Sequence, residues 1–235
     1  MYHSITIGDK NTWDDWHLIP MTRPLVEPPE VATNFVEIPG MDGTIDLTDA
    51  VSGGPAYKDR TGTWKFIVMN GYGDWAQRFS TIMGYLRGLS YRVVLEDDSE
   101  YFYEGRVYVT NWTSDKAYST IEFTYNLKPY KFDFTSSVDE WLWDSFNFET
   151  GTIPENLNDV YVDGTLTRDI TGTYAHVIPE VIVSAPMTIT YNDRTVEFQA
   201  AGTYKPWELT IVEGTHQMVF IGTGRVTVKY RGGVL

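Results

Sequence analysis

The residues able to do chemistry are scattered rather than assembled. His3, His17, His176 and His216 lie far apart, with no His-x-His or His-Glu-x-x-His spacing to hold a metal. Cysteine is absent, which removes disulfides, thiolate–zinc sites and a cysteine nucleophile together. No Gly-x-Ser-x-Gly elbow is present, and no glycine-rich loop precedes a helix to cradle phosphate. The acidic run Glu96-Asp97-Asp98-Ser99-Glu100 invites a calcium reading. A calcium loop needs alternating oxygen ligands and a glycine for its sharp turn. This run has consecutive acids and no glycine, so it reads as a solvated hairpin turn. Paired carboxylates for glycoside hydrolysis stand ~5–9 Å apart by virtue of the fold, so sequence spacing does not reveal them. The 32 acidic residues make any such pair in sequence uninformative. The expectation is a protein without metal, cofactor or catalytic residues.

Such a chain is read for its scaffold. Its 235 residues suffice for one large β domain or two of roughly 100–130 residues. Aromatic residues reach 15%, an excess that favours pleated, half-buried surfaces and contact faces. The net charge is −14, and residues 1–133 and 134–235 each carry −7, so neither half hides a basic module. A grip on nucleic acid needs Lys and Arg to displace counterions, so no nucleic-acid partner is expected. The first eight residues lack a basic and then apolar leader, and no apolar run nears the ~20 residues that span a bilayer. Synthesis and folding in a cytoplasm, without a signal peptide or membrane insertion, follow as expectations. The sequon Asn111-Trp112-Thr113 is then idle.

Period-two alternation runs through the chain. It places His3, Ile5 and Ile7 on one face, then Tyr91, Val93 and Leu95, then Ile121, Phe123, Tyr125 and Leu127. Residues 11–60 differ, holding Pro20, Pro24, Pro28, Pro29, Pro39 and Pro55. A segment so rich in proline is barred from a sheet interior and forms a loop, an arm or edge strands. One helix is signposted: Asp74 as cap with Gln77 three residues on, a stripe of Trp75, Phe79, Ile82, Met83 and Leu86, and Gly88 as terminator. Tyr101 to Val109 forms the returning strand, with Gly105 as a bulge. In the second half Met187–Tyr191 and Val196–Phe198 flank an Asn192-Asp193 turn, and Leu209 and Ile211 form a strand leading to Gly214. Gly222-Thr223-Gly224 is read as a turn before the strand Val226–Tyr230. Short strands with turns every ~8–12 residues indicate a β-sandwich. The boundary falls between Lys131 and Ser145: residues 1–133 form one domain, 134–144 a linker and 145–235 a second domain. No internal repeat is present.

Three stretches together resemble the distal tail protein family of long, flexible-tailed bacteriophages. Ile38-Pro39-Gly40-Met41-Asp42-Gly43-Thr44-Ile45-Asp46-Leu47-Thr48 is similar to the family's Ile-Pro-Gly-x-Asp-Gly-x-x-Asp-Leu-Thr signature. In physical terms Gly40 and Gly43 supply permissive backbone, and Asp42-Gly43 is a hairpin signal. Tyr57-Lys58-Asp59-Arg60 follows in the place of the family's Tyr-x-x-Arg, ahead of a strand from Trp64 to Met69. The second stretch is the helix and hairpin from Asp74 to Val107, with Tyr103-Glu104-Gly105 as its Tyr-x-Gly element. The third is the strand from Ile121 that ends Lys128-Pro129-Tyr130, with Asn126 where relatives often carry cysteine. Phe146-Asn147-Phe148-Glu149 is similar to the opening of the family's second domain. The closing Gly224 to Gly233, with Tyr230-Arg231-Gly232-Gly233, matches its last strand.

The resemblance implies a mainly β protein: an N-terminal β-sandwich with one helix and a proline-rich arm, then a C-terminal galectin-like β-sandwich. It implies a hexameric ring closed by the arm, at the virion tail tip. Its partners would be further copies of itself, the tail tube protein, the tail-tip fibre or tail-associated protein, and the receptor-binding protein. The rival reading is a carbohydrate-binding module, with Trp13, Trp16, Trp141, Trp143 and Trp207 as a sugar platform. Trp141 and Trp143 alternate, however, as core residues would.

Overall fold

The computed structural model describes residues 2–48, 50, 55–68, 75–114, 118–134, 136–138 and 157–235. The capping role expected of Asp74, the strand end at Met69, Trp141, Trp143 and Phe146–Glu149 all lie outside the described residues. The chain is mainly β and divides into two compact units, residues 1–131 and 132–234, each built on a curled sheet.

The first unit holds strands β1 (Ile5–Ile7), β2 (Lys10–Asn11), β3 (Leu18–Pro20), β4 (Phe35–Glu37), β5 (Thr44–Asp46) and β6 (Arg60–Val68), helix α1 (Trp75–Tyr85), and strands β7 (Arg87–Leu95), β8 (Tyr101–Ser114) and β9 (Ser119–Leu127). Its main sheet is antiparallel in the order β2-β1-β7-β8-β9-β6-β3. Alternation decides the faces: Ile121, Phe123, Tyr125 and Leu127 of β9 are buried, and the residues between them look outward. Pro20 closes β3, which is an edge strand, as a residue without an N–H requires. Three side chains of the segment expected as loop, Thr12, Trp16 and Leu18, are nevertheless buried in the core. Trp16 meets Tyr85 and Phe123 edge-on.

Helix α1 packs Ile82 into the core, as does Leu86 just after it, with Trp75 and Phe79 half-buried against it and Met83 exposed. Gly88 follows at φ +82°, the left-handed backbone expected of a terminator. Tyr85, which no pattern singled out, fastens the helix end to β1. Its hydroxyl lies 2.9 Å from the Ile7 carbonyl and accepts the Asp9 N–H at 3.1 Å. Burial, reinforced by the Asp9 carboxylate, pushes the Tyr85 phenol up to about 12.

Several expectations are corrected here. Gly105 is not a bulge: it pairs regularly with Tyr91 and Leu127, and the irregularities fall at Arg87/Ser90 and Val109/Asn111. A Cβ at Gly105 would lie 2.1 Å from the Asn126 carbonyl oxygen, so close strand approach is what demands glycine. The acidic run is not a free solvated turn either. It forms a 3₁₀ turn, Glu96–Asp98, whose three carboxylates each hold a distant partner. Glu96 accepts the Ser4 N–H at 2.7 Å, Asp97 lies 2.8 Å from both His3 Nδ1 and Arg23 Nε, and Asp98 pairs with Lys131 at 2.8 Å. The Arg23 guanidinium, more than any other neighbour, keeps the Asp97 carboxyl below its ordinary range.

After β10 (Lys131–Asp133), at the boundary, the second unit contains β11 (Val160–Gly172), β12 (Glu180–Val183), β13 (Met187–Tyr191), β14 (Arg194–Phe198), β15 (Gly202–Tyr204), β16 (Gly214–Lys229) and β17 (Gly233–Val234). The order is β14-β13-β16-β12-β15, with β11 along the other side of β16. The β13–β14 hairpin turns at Asn192 and Asp193, both at positive φ, which is the two-residue turn the sequence indicates. The third correction lies at Gly222-Thr223-Gly224, which is no turn but the middle of the 16-residue β16. There the strand changes partner, from β13 at residues 218–222 to β12 at residues 226–229. Glycine in mid-strand marks a bend, not an end. Leu209 likewise sits in a 3₁₀ turn, Trp207–Leu209, rather than a strand. Ser136 and Ser137, expected in a linker, are buried, and Ser137 Oγ donates to the Val228 carbonyl at 2.8 Å. Small hydroxyls there satisfy backbone that the strand ladder leaves open.

Candidate assembly surface

The described residues contain no cluster of three or more His, Cys, Asp or Glu able to hold a metal ion, and no helix among them is long and apolar enough to cross a membrane. What stands out is an arm. Between Glu27 and Arg60 the described residues pair with one another as a narrow ribbon. Lys58 N–H donates to the Glu30 carbonyl at 2.8 Å, Val31 bridges Tyr57, and Ala32 N–H donates to the Ala56 carbonyl at 2.7 Å. Further out, β4 and β5 pair Phe35 with Asp46, Val36 with Ile45 and Glu37 with Thr44.

The tip explains its own sequence. The Met41 N–H donates to the Ile38 carbonyl at 3.1 Å across Pro39-Gly40, with Gly40 at φ +85°. Pro at the second position and a left-handed Gly at the third make this a type II turn. Asp42-Gly43 is therefore the second bend of a six-residue tip, not a two-residue hairpin turn, and Gly43 stands at φ +84°. Asp46 accepts the Thr48 N–H at 2.9 Å, and the Thr48 hydroxyl above all holds its carboxyl below the ordinary range. A β-branched residue at Gly43 meets no steric obstacle but inherits a strained backbone. Gly43→Val is expected to destabilise the arm by about 1–3 kcal/mol. Glu100→Ala, on an exposed turn, should stay within about 0.5 kcal/mol. Thermal melts and solution mass of both variants check this, and equal behaviour would refute the strain argument.

At the base, three of the signature stretches meet around Arg60, which is only 5% exposed. Its Nε donates to the Pro129 carbonyl at 2.7 Å and an Nη to the Glu27 carbonyl at 3.2 Å. Its guanidinium lies 5.5 Å from the centre of the Tyr103 ring. Burial pulls the guanidinium pKa down and pushes the Tyr103 phenol up. Tyr57 meets Tyr130 edge-on, Lys128 pairs with Glu104 at 2.7 Å, and Gly105 lets β9 approach. Three residues whose part in the clamp the sequence does not indicate complete it. Tyr125 stacks on Trp64, its hydroxyl accepts the Glu27 N–H at 3.1 Å, and Trp64 Nε1 donates to the Leu25 carbonyl at 2.8 Å. Gly62 makes room, because a Cβ there would overlap the Tyr125 ring.

Tyr230 and Gly232 do not join this cluster. Both serve the second unit: the Tyr230 N–H donates to Ser137 Oγ at 2.9 Å, and Gly232 packs on Asp133 and Thr173. The sugar platform does not assemble as expected among the described residues. Trp16 is core, Trp13 stacks on Tyr2 at 3.8 Å, and Trp207 is a 63% exposed residue of the second unit.

The ribbon itself carries its apolar residues in solvent. Phe35 is 55% exposed and Met41 45%, and Val36, Ile38 and Leu47 are exposed too. A two-stranded ribbon is marginal in water on its own, and a contiguous exposed apolar patch marks a contact surface. Fold and surface together define a two-unit β scaffold with a clamped, projecting arm. The fold is similar to that in the crystal structure of the Dit (gp 19.1) protein of phage SPP1, with a TM-score of 0.59 and 11% identity over 99% of each chain. That protein is described as a paradigm of the hub adsorption apparatus in phages infecting Gram-positive bacteria. No family model matches the sequence, and no curated protein does. The fold is Dit-like.

Proposed function

We propose that this chain is a structural subunit of a phage tail-tip hub. Copies assemble through their arms into a hexameric ring, which links the tail tube to the tail-tip fibre and the receptor-binding protein. The protein is not an enzyme and uses no cofactor. The observation that carries the reading is the arm: exposed apolar side chains held out by a buried arginine, on a fold shared end to end with a hub protein. An arm that cannot enter its own sheet gains most by lying on another subunit, and one heterologous contact repeated closes a ring when its rotation allows. Ring formation on this reading belongs to the first unit.

Light scattering on the full chain is the test. The expected mass is about six times 26.9 kDa, and replacing residues 33–48 with a Gly-Gly link should return a monomer. A monomeric full chain, or a shortened chain that still forms rings, would refute the arm as the assembly device.

A further inference from the structure

Charge is unevenly distributed within the first unit. Residues 27–59 carry seven acidic side chains against one lysine, and that lysine, Lys58, is already paired with Glu30 at 3.2 Å. Residues 75–95 carry three arginines and no carboxylate. In a chain of net charge −14, such a segment is an exception.

The sheet fixes where this positive charge stands. Arg87 pairs with Tyr108 across β7 and β8, and Ser90 pairs with Arg106. Val107, between Arg106 and Tyr108, is fully buried, so both of its neighbours face outward. Arg106 donates to the Gly88 carbonyl at 2.7 Å, which holds its guanidinium over the irregular start of β7. Leu89 and Tyr108 are exposed beside it, and Arg87 has no ion pair among the described residues. The outer face of β7–β8 thus offers cations with an aromatic and an aliphatic contact. The arm offers the complement: Glu37 and Asp42, neither in an ion pair among the described residues, between Phe35, Val36, Ile38 and Met41.

We propose that the arm of one copy docks on the outer face of β7 and β8 of the next copy, with Glu37 and Asp42 set against Arg87 and Arg106. This rests on the ring reading above and names the receiving surface. Complementary fields fix register and suppress wrong partners, which a ring with a single repeated contact requires. Opposed charges at an exposed rim also make assembly salt-sensitive, since the screening length falls to about 10 Å at 0.1 M.

Charge exchange in the full-length chain tests the assignment. One variant reverses the arm (Glu37→Lys with Asp42→Lys) and the other reverses the face (Arg87→Glu with Arg106→Glu). Light scattering should show that each alone has lost the ring while keeping a wild-type melt. Mixed in equal amounts, the two should regain ring mass, because each arm then meets an opposite face. Should Arg106→Glu disturb folding, Arg87→Glu alone must still weaken the ring and flatten its dependence on salt, since the attraction that salt screens is gone. A face variant that forms rings like the wild type, or a mixture that stays monomeric, overturns the proposed surface. A monomeric wild type would instead overturn the ring itself, and the two failures are told apart by that first measurement.

Discussion

Replacing Arg60 with methionine is expected to cost the first unit about 2–4 kcal/mol and to free the arm. The two carbonyls decide the sign. Pro129 and Glu27 turn their oxygens toward the guanidinium, in a place where it is itself almost wholly buried. An acceptor left unsatisfied in such a place costs about 1–3 kcal/mol. Some of this is offset, because Arg60 Nη2 has no hydrogen-bond partner among the described residues, and removing an unsatisfied donor relieves its desolvation. Arg60→Lys should recover only part of the loss, since a single ammonium does not reproduce a planar fork reaching two carbonyls. Urea unfolding would read the stability, and limited proteolysis between residues 28 and 58 would read the arm. A methionine variant within about 0.5 kcal/mol of wild type, with an equally resistant arm, would show that the clamp is unimportant.

Two glycines of the first unit should respond in opposite directions. At Gly105 a Cβ falls 2.1 Å from the Asn126 carbonyl oxygen and 2.6 Å from the Leu127 Cα. Both are backbone atoms of β9, so neither can rotate away. Strands β8 and β9 must part, and ladder hydrogen bonds go with them. Gly105→Ala is expected to destabilise by about 2–4 kcal/mol, combining overpacking with the weakened ladder. Gly84 lies in α1 with nothing within 4 Å of its added Cβ. Gly84→Ala should therefore stabilise by about 0.5–1 kcal/mol through helix propensity. Paired denaturation curves decide it. A harmless Gly105→Ala would mean that the two strands do not approach as closely as this register requires.

These glycines also show where sequence reading stops. Alternation in β9 assigns every residue to the inner or outer face, because side chains on a pleated strand must alternate whatever the partner. The Asn192-Asp193 turn is equally local, and so is the terminator at Gly88, since each follows from one or two residues' own backbone preferences. Partner identity is not local. Gly105 reads as a bulge and Gly222-Thr223-Gly224 as a turn because a glycine announces freedom, not its use. Only the approach of β9, or the change of partner along β16, decides which use it serves.

The assembly surface divides in the same way. The residues of the arm tip and the run Tyr57–Arg60 are legible as types and spacings, and the prolines of residues 11–60 keep that segment out of any sheet interior. That Arg60 binds carbonyls 69 and 33 residues away is not legible, since a backbone carbonyl carries no residue identity to read. The same holds for the acidic run, whose composition suggests solvation but whose carboxylates hold His3, Ser4, Arg23 and Lys131. By itself the sequence determined the β class, the faces of the strands, the helix and the apartness of the arm, all properties of short-range sterics and hydrophobic period. The tertiary structure alone decided what clamps the arm and which face stays basic and open. Those depend on hydrogen bonds and strand registers between residues that meet only after the chain has closed long loops.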